Sequence, residues 1–194
     1  MHNNKECQDV VLGTILGDGY LYPKGILQVE HARKDHQYVL WKHQKMSEIV
    51  SGPISSVIRL DKRNGKKTYS SRFYTKPVFS EYRTLFYPNK KKIVPNNINQ
   101  LLIRPLALAT LFMDDGGKGG NTSKGMVFNF SGFDKSDQEK LRKCLLINFN
   151  LHTHFHKTGN TQQLYIPTNE NQNFLDIVSP YVIPSMRYRL AITP

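Results

Sequence analysis

Residues 106–120, LALATLFMDDGGKGG, predict an apolar helix that ends at two adjacent carboxylates, Asp114 and Asp115. Glycines follow at once, and a glycine after the last helical residue commonly ends a helix in a left-handed turn. The C-terminal end of a helix carries partial negative charge, so acidic side chains are disfavoured there. Two acids at this point therefore indicate a role other than stabilising the helix.

A second stretch, residues 10–21 (VVLGTILGDGYL), has the same pattern of an apolar helix followed by Asp-Gly. When Asp18 is aligned with Asp115, the offset is 115 − 18 = 97 residues, which is half of the 194-residue chain. Apolar positions then coincide, with Val11, Leu12, Ile15 and Leu16 on Leu108, Ala109, Phe112 and Met113. Self-similarity at a fixed spacing indicates a duplicated unit.

The patterns after each acidic motif predict two hairpins and two helices. Hairpin turns are expected at residues 23–25, at Asn64-Gly65 and near Gly159-Asn160, because these glycines follow turn-forming residues. We therefore expect an α+β fold of two pseudo-symmetric αββαββα halves, residues 1–88 and 105–194. The stretch 89–104, rich in Pro, Asn and Lys, is expected to be the linker.

The composition points to a nucleic-acid partner, since the formal net charge is +12. A basic protein with a merely solvated surface is the alternative. The two cysteines, Cys7 and Cys144, have no metal-ligand spacing, which is typical of a reducing compartment. No signal peptide or membrane span is recognisable, so we expect a soluble intracellular protein, and the Asn- and Lys-rich composition suits a mitochondrion, a chloroplast or a bacterial cytoplasm.

The paired acids predict a metal site if the two halves pack about a pseudo-two-fold axis. Gly13 and Gly17 are one helical turn apart and permit close approach of a helix with small residues at Ala109 and Thr110. Two carboxylates and two negative helix ends would then converge, which is favourable only with a bound cation. Such oxygen ligands suit Mg²⁺, as a catalytic or as a purely structural ion.

These motifs resemble those of the LAGLIDADG homing endonucleases, in residues 11–19 (VLGTILGDG) and 108–116 (LATLFMDDG). Residues 89–118 and 180–190 (PYVIPSMRYRL) resemble two further signatures of the monomeric, intron-encoded branch. The resemblance implies saddle-shaped sheets that straddle duplex DNA. It also implies Mg²⁺-dependent double-strand cleavage of a long pseudo-palindromic or asymmetric site, leaving 3′ overhangs.

The resemblance also implies roles for particular residues. Asp18 and Asp115 would bind the metals, and the backbone carbonyls of Gly17 and Asp114 would complete the coordination. Lys92 and Arg189 would be the basic residues near the scissile phosphates. Arg189 is a departure, since lysine is usual there, and an arginine cannot give up its proton. We expect either that cleavage at the Arg189 site is slower or that Arg189 acts there only through its charge. The alternative is that Lys92 and Arg189 both only bind backbone phosphates.

Strand alternation predicts which side chains face DNA. In residues 54–60, the apolar Ile58 and Leu60 are expected to point inward with Ile54 and Ser56. Arginine, glutamine and asparagine read base edges in the major groove, although an ordinary solvated face is the alternative for each one. The expected DNA-binding residues are Lys24, Gln28, Glu30, Arg59, Arg72, Tyr74, Lys76, Lys118, Asn129, Ser131, His152, His154 and Gln163.

Two rival interpretations remain open. His152, His154 and His156 alternate along one strand and could bind zinc, although contact with DNA is the favoured interpretation. The chain could also be an RNA maturase acting on its host intron, or a DNA-binding relative without cleavage activity. A ribosome-associated basic protein would explain the charge but not the paired motifs. Both acids are present, which favours the nuclease.

Overall fold

The computed structural model describes residues 4–120, 124–158 and 161–191, so the turn expected at Gly159-Asn160 lies outside the described residues. The elements of the first half are α1 Lys5–Leu16, β1 Tyr20–Leu21, β2 Leu27–Ala32, α2 His36–Lys45, β3 Ser55–Leu60, β4 Lys67–Tyr74 and α3 Ser80–Phe86. Those that follow are α4 Ile98–Leu101, α5 Pro105–Asp115, β5 Gly116–Lys118, β6 Met126–Phe128, α6 Lys135–Phe149, β7 His154–Thr158, β8 Thr161–Ile166 and α7 Asn171–Val178. A 3₁₀ helix spans Pro184–Arg189.

The predicted fold class is confirmed, because the αββαββα order occurs twice. Each half forms a four-stranded antiparallel sheet, in the order β1-β2-β4-β3 in the first half and β5-β6-β8-β7 in the second. One face of each sheet is buried under the helices by apolar side chains such as Val29, Phe73, Phe128 and Leu164. The opposite face of each sheet is left uncovered by the helices, and we call it the open face.

The helices α1 and α5 pack directly against each other between the two sheets. A Cβ atom added to Gly13 would lie 2.5 Å from the carbonyl oxygen of Ala107 and 2.6 Å from Cβ of Thr110. One added to Gly17 would lie 2.5 Å from Cβ of Asp114. The backbones can approach this closely only because both positions are glycine. The contact at Thr110 was expected, whereas Ala107 rather than Ala109 is among the nearest neighbours.

The expectation that Ile58 and Leu60 point inward was wrong, since they are 61% and 59% exposed. β3 is the edge strand of its sheet, and α2 packs against β2 and β4. The outer end of the β3–β4 hairpin therefore extends beyond the helices, and the face that would be buried elsewhere in the sheet is in solvent here. Only Ile54, just before the strand, packs against the core.

The stretch expected to be a linker contributes to the core. Val94, Ile98 and Leu102 are buried, and α4 packs against α6. Cys144 of α6 contacts the carbonyl oxygens of Ile98 and Leu102 at 3.8 and 3.7 Å. The proposed domain bounds remain a prediction. Within the described ranges, no helix has the length and apolar character needed to cross a membrane.

Candidate active site

Asp18 and Asp115 lie at the same end of the packed helix pair and line one cavity of about 240 Å³. α5 ends at Asp115, whereas α1 ends at Leu16, so Asp18 follows the last helical residue by two positions. Lys92 lines the same cavity. The structure thus brings together the two carboxylates that the sequence placed at repeat-related positions.

The pKa values of both carboxyl groups are raised. Burial, followed by the charges of Asp18 and Asp114, raises the pKa of Asp115 to about 8. Burial and the charge of Asp114 raise the pKa of Asp18 to about 6, although its side chain is 47% exposed. Converging carboxylates disfavour each other's ionised form, and a divalent cation would favour it. The donor set of hard oxygens and the unrelieved repulsion both fit Mg²⁺.

Lys92 and Arg189 occupy equivalent places, because 189 − 92 = 97 is the repeat offset. Nζ of Lys92 donates a hydrogen bond to the carbonyl oxygen of Gly17. Nη1 of Arg189 donates to the carbonyl oxygens of Asp114, at 3.2 Å, and Gly116, at 2.7 Å. The carbonyls of Gly17 and Asp114 are therefore hydrogen-bonded already, and each keeps a second lone pair that could bind a cation. The metal-binding and catalytic roles of these residues stay predictions.

His31 is a neighbour of the acids that the sequence did not single out. Its side chain is 8% exposed, with Nδ1 3.6 Å from Oδ2 of Asp18 and Nε2 3.6 Å from Oδ1 of Asp114. Burial and the nearby Lys42 lower its pKa to about 4, so the ring is neutral at neutral pH. In the parts of the chain that the structure describes, Asp18, His31 and Asp114 are the one group of three His, Cys, Asp or Glu side chains whose ligand atoms lie within 4.8 Å of one another. The sequence did offer one signal for His31. It lies two residues after the buried Val29 on the same strand, so alternation places both side chains on the buried face of the sheet.

A family model described as the LAGLIDADG DNA endonuclease family matches residues 8–174, which is most of the chain. The chain belongs to this family. A solved structure described as the homing endonuclease I-WcaI bound to its DNA recognition sequence has 30% identity and a TM-score of 0.89. It covers 100% of this chain, which covers 90% of that one. The expected LAGLIDADG homing endonuclease fold is therefore confirmed.

Two curated relatives of this LAGLIDADG chain carry different functional names. The cytochrome b mRNA maturase bI2 of Debaryomyces hansenii is 30% identical, covering 96% of this chain and 74% of the relative. A probable intron-encoded endonuclease 1 of Wickerhamomyces canadensis is also 30% identical, covering 94% of this chain and 83% of the relative. Both names fit the LAGLIDADG family, and they leave cleavage and RNA processing as the activities to compare.

The open face of the sheet in the first half brings together five predicted DNA-binding residues. Gln28 pairs with Tyr74 and Glu30 pairs with Arg72 across β2 and β4. Arg59 of β3 binds Glu30, with Nη2 2.9 Å from Oε2. The guanidinium of Arg59, and then Ser70, lower the pKa of Glu30 although burial opposes this. This face therefore presents one neutralised acid between two arginines.

Two other predicted DNA-binding residues of the first half, Lys24 and Lys76, lie outside the strands of the sheet. Lys24 is exposed in the turn between β1 and β2. Lys76 lies beyond the end of β4, and its Nζ donates to the carbonyl oxygen of Glu48 at 3.0 Å. The structure therefore does not bring Lys76 together with Arg72 and Tyr74, because the strand ends before alternation reaches it.

The second half contributes His154 and Gln163 to its open face. His154 pairs with Tyr165, and Gln163 pairs with His156. His152 precedes β7 and lies 3.3 Å from Glu170, whereas the rings of His154 and His156 contact Tyr165. His154 and His156 therefore share Tyr165 while His152 has other surroundings, and among the described residues the three rings form no metal-binding group, which gives no support to the zinc interpretation.

Three further predicted positions of the second half do not lie on its open face. Asn129 and Ser131 follow the end of β6 and line the cavity with Asp18 and Asp115. β6 is shorter than the expected strand, which leaves these residues beside the acids. Lys118 is exposed, but it pairs with Met126, whose face of the sheet is buried.

Proposed function

We propose that this chain is a site-specific homing endonuclease that hydrolyses both strands of duplex DNA with Mg²⁺ and leaves 3′ overhangs. The observation that carries the proposal is the convergence of Asp18 and Asp115 at one cavity, with Lys92 and Arg189 on the adjacent carbonyls. The similarity to a DNA-bound homing endonuclease over the whole chain supports it.

The two carboxylates, together with the carbonyl oxygens of Gly17 and Asp114, would hold the divalent cations. Such ions supply an activated water and stabilise the leaving oxygen of the phosphodiester. Lys92 adds positive charge beside the Gly17 carbonyl and Arg189 beside the Asp114 carbonyl, where they would stabilise the charge of a scissile phosphate. Since the carbonyls hold both basic groups in place, neither has to be ordered when DNA binds.

The open faces would lie over the major groove and select the target sequence. A strand ribbon fits that groove, and arginine and glutamine can contact guanine and adenine in pairs of hydrogen bonds. Arg72 and Gln28 are the strongest candidates, because both lie on the inner strands of the sheet. Gln28 lies between Tyr20 and Tyr74, and the guanidinium of Arg72 lies over the Tyr74 ring at 5.1 Å. The net charge of +12 would supply the sequence-independent part of the affinity.

A maturase that binds intron RNA is the second candidate, favoured by the similarity to the bI2 maturase. RNA binding would use the basic surface without needing two acids at one cavity. The presence of Asp18 and Asp115 there, whose convergence is unfavourable without a cation, argues for cleavage.

A cleavage selection over a randomised duplex library with Mg²⁺ tests the proposal. We expect one long preferred site, cut in both strands with short 3′ overhangs. Absence of cutting with retained binding to an intron RNA would reject the nuclease in favour of the maturase.

Because of the duplication, one chain carries a DNA-binding sheet for each half of the target site. We therefore expect one protein molecule on each DNA duplex. Light scattering of the complex with the selected site measures this ratio. A complex that contains two chains for each duplex would contradict the expectation.

Arg72→Ala should weaken discrimination at one or two base pairs of the selected site, because a paired arginine–guanine contact is worth about 1–3 kcal/mol. Competition binding against single-base variants of the site measures the change. The control is Lys24→Ala in the exposed turn, which should weaken all sequences alike. Equal weakening by Arg72→Ala on every sequence would show that Arg72 contacts only the DNA backbone.

Arg189→Lys should speed cleavage of the slower strand, since it restores a residue that can exchange its proton. We expect an increase of several-fold on one labelled strand and little change on the other. Arg187→Lys, an exposed position in the same 3₁₀ helix, is the matched control. An equal or reduced rate on both strands would mean that the charge of position 189 alone matters.

A further inference from the structure

Lys42 of α2 is a lysine in the interior whose ammonium group joins the two halves. Its Nζ lies 2.7 and 3.0 Å from the two carboxylate oxygens of Asp114 on α5, and 3.2 Å from Nε2 of His31. The side chains of Lys42 and Asp114 are both fully shielded from solvent. An ammonium has three donors, so each proton of Lys42 has an acceptor, as a buried charge requires.

The Asp114 carboxylate is surrounded by donors on both oxygens. Besides Lys42, the hydroxyl of Tyr38 donates to Oδ1 at 2.8 Å, and the backbone N–H of Asp18 donates to Oδ2 at 3.1 Å. Burial raises the pKa of Asp114, but the ammonium of Lys42 and the hydroxyl of Tyr38 outweigh it, so the pKa lies below its ordinary value. A carboxylate with these partners is already satisfied, which separates its role from those of Asp18 and Asp115.

Asp18 is contacted by these side chains at two points. Its backbone N–H lies beyond the end of α1 and donates to Asp114 instead of to a helical carbonyl. Since the ammonium of Lys42 can only donate, Nε2 of His31 accepts, and the neutral ring carries its proton on Nδ1. That N–H lies 3.6 Å from Oδ2 of Asp18, an electrostatic contact rather than a hydrogen bond.

We infer that Lys42, Asp114, Tyr38 and His31 form a positioning network that fixes the backbone and carboxylate of Asp18 for metal binding. This inference rests on the proposed function. Asp115 has no equivalent network, because the position in the first motif that corresponds to Asp114 is Gly17. Asp18 lies beyond the end of α1, and the network holds it in place. Asp115 is part of α5, so its own helix holds it.

The test compares two double variants of the full chain, because removing one partner alone leaves a buried charge. Lys42→Met with Asp114→Leu removes both charges and the acceptor for the Asp18 N–H. Lys42→Met with Asp114→Asn removes the charges but keeps an acceptor oxygen. Amide hydrogen exchange at Asp18 is measured without metal, and Mn²⁺ affinity is measured by electron paramagnetic resonance. Melting temperature serves as the folding control.

We expect the leucine variant to lose protection at the Asp18 amide and to bind Mn²⁺ about 10–100-fold more weakly. The asparagine variant should recover most of both properties. Unchanged exchange at Asp18, or unchanged Mn²⁺ affinity, in a folded leucine variant would overturn the inference. If wild type binds no Mn²⁺, the proposed metal chemistry fails, while the exchange measurement still decides whether the network holds Asp18.

His31→Phe provides a second arm if the double variants do not fold. Phe130 has the equivalent position in the second half, three residues beyond Val127, just as His31 is three beyond Gln28. A flat ring of this size is therefore compatible with the fold. We expect about tenfold weaker Mn²⁺ binding, in a protein that still folds but melts at a somewhat lower temperature because one donor of Lys42 loses its acceptor. Wild-type affinity in this variant would show that the ring only fills space.

Discussion

Asp18→Asn and Asp115→Asn should each reduce double-strand cleavage to the level of a reaction without metal. Each change keeps the size of the side chain and removes the charge that a metal ligand requires. Binding to the selected DNA site should survive, since the substitutions leave the predicted contacts on the open faces of the sheets unchanged. Cleavage with Mg²⁺ and binding without it, measured on the same preparations, separate the two effects.

The same variants should be more stable than wild type when no metal is present. The pKa of Asp115 is about 8 in the folded chain and ordinarily 3.8, so the folded form retains a proton that the unfolded form releases between these values. Stability therefore falls as pH rises through this window, and Asp115→Asn removes that loss. We expect its melting temperature to exceed that of wild type by roughly 2–4 °C at pH 8, and by less at pH 5.

Asp176→Asn is the matched control, because it removes the same charge from an exposed position on α7. It should leave cleavage and the pH dependence of stability unchanged. Full cleavage by either active-site variant would refute its assignment as an essential ligand. A variant that is both inactive and less stable than wild type would favour a purely structural ion.

Gly13→Ala should strongly destabilise the fold, because α1 and α5 leave no space between them for an added methyl group. The new Cβ would lie 2.5 Å from the backbone oxygen of Ala107 and 2.6 Å from Cβ of Thr110, so α1 and α5 must separate. Overpacking of this kind costs about 1–3 kcal/mol, and a backbone contact places this change at the upper end. We expect the melting temperature to fall by roughly 6–12 °C.

Cleavage by Gly13→Ala should fall even where the protein remains folded, because the separated helices move the two acids apart. Gly52→Ala is the control, since no atom lies within 4 Å of its added Cβ. Thermal unfolding and cleavage at a temperature where both variants are folded provide the comparison. A melting temperature within a degree of wild type would mean that the helix pair can adjust at little cost.

The sequence predicted the features that depend on local chemistry and on the repeat. The placing of Asp18 and Asp115 at one end of the helix pair and the αββαββα order follow from patterns that occur twice, and the close helix contact follows from Gly13 and Gly17 of the first motif. Lys92 and Arg189 were expected from the resemblance to the family, and their spacing of 97 residues agrees with the repeat. The short strand β5 gave no individual signal, because Gly116 and Gly117 have no strand propensity and pair only because β6 lies beside them.

The features that the sequence did not predict depend on how far each element extends. Ile58 and Leu60 alternate as buried residues would, but the hairpin projects past the helices that would cover them. Asn129 was assigned to a strand that ends one residue earlier. Lys42 follows an apolar run in α2 and resembles a solvent-facing residue, and only the contact with Asp114 from the other half explains its burial.

The contact between Gly17 and Asp114 also limits how the two halves can be recombined. The place that a side chain at position 17 would take is filled by Asp114 itself. Two copies of the second half would bring an aspartate to both positions, so we expect them not to close into a working pair. Each half has thus become specific for its opposite. Chimaeric nucleases made by exchanging halves should keep glycine in the first motif whenever the second motif carries this aspartate.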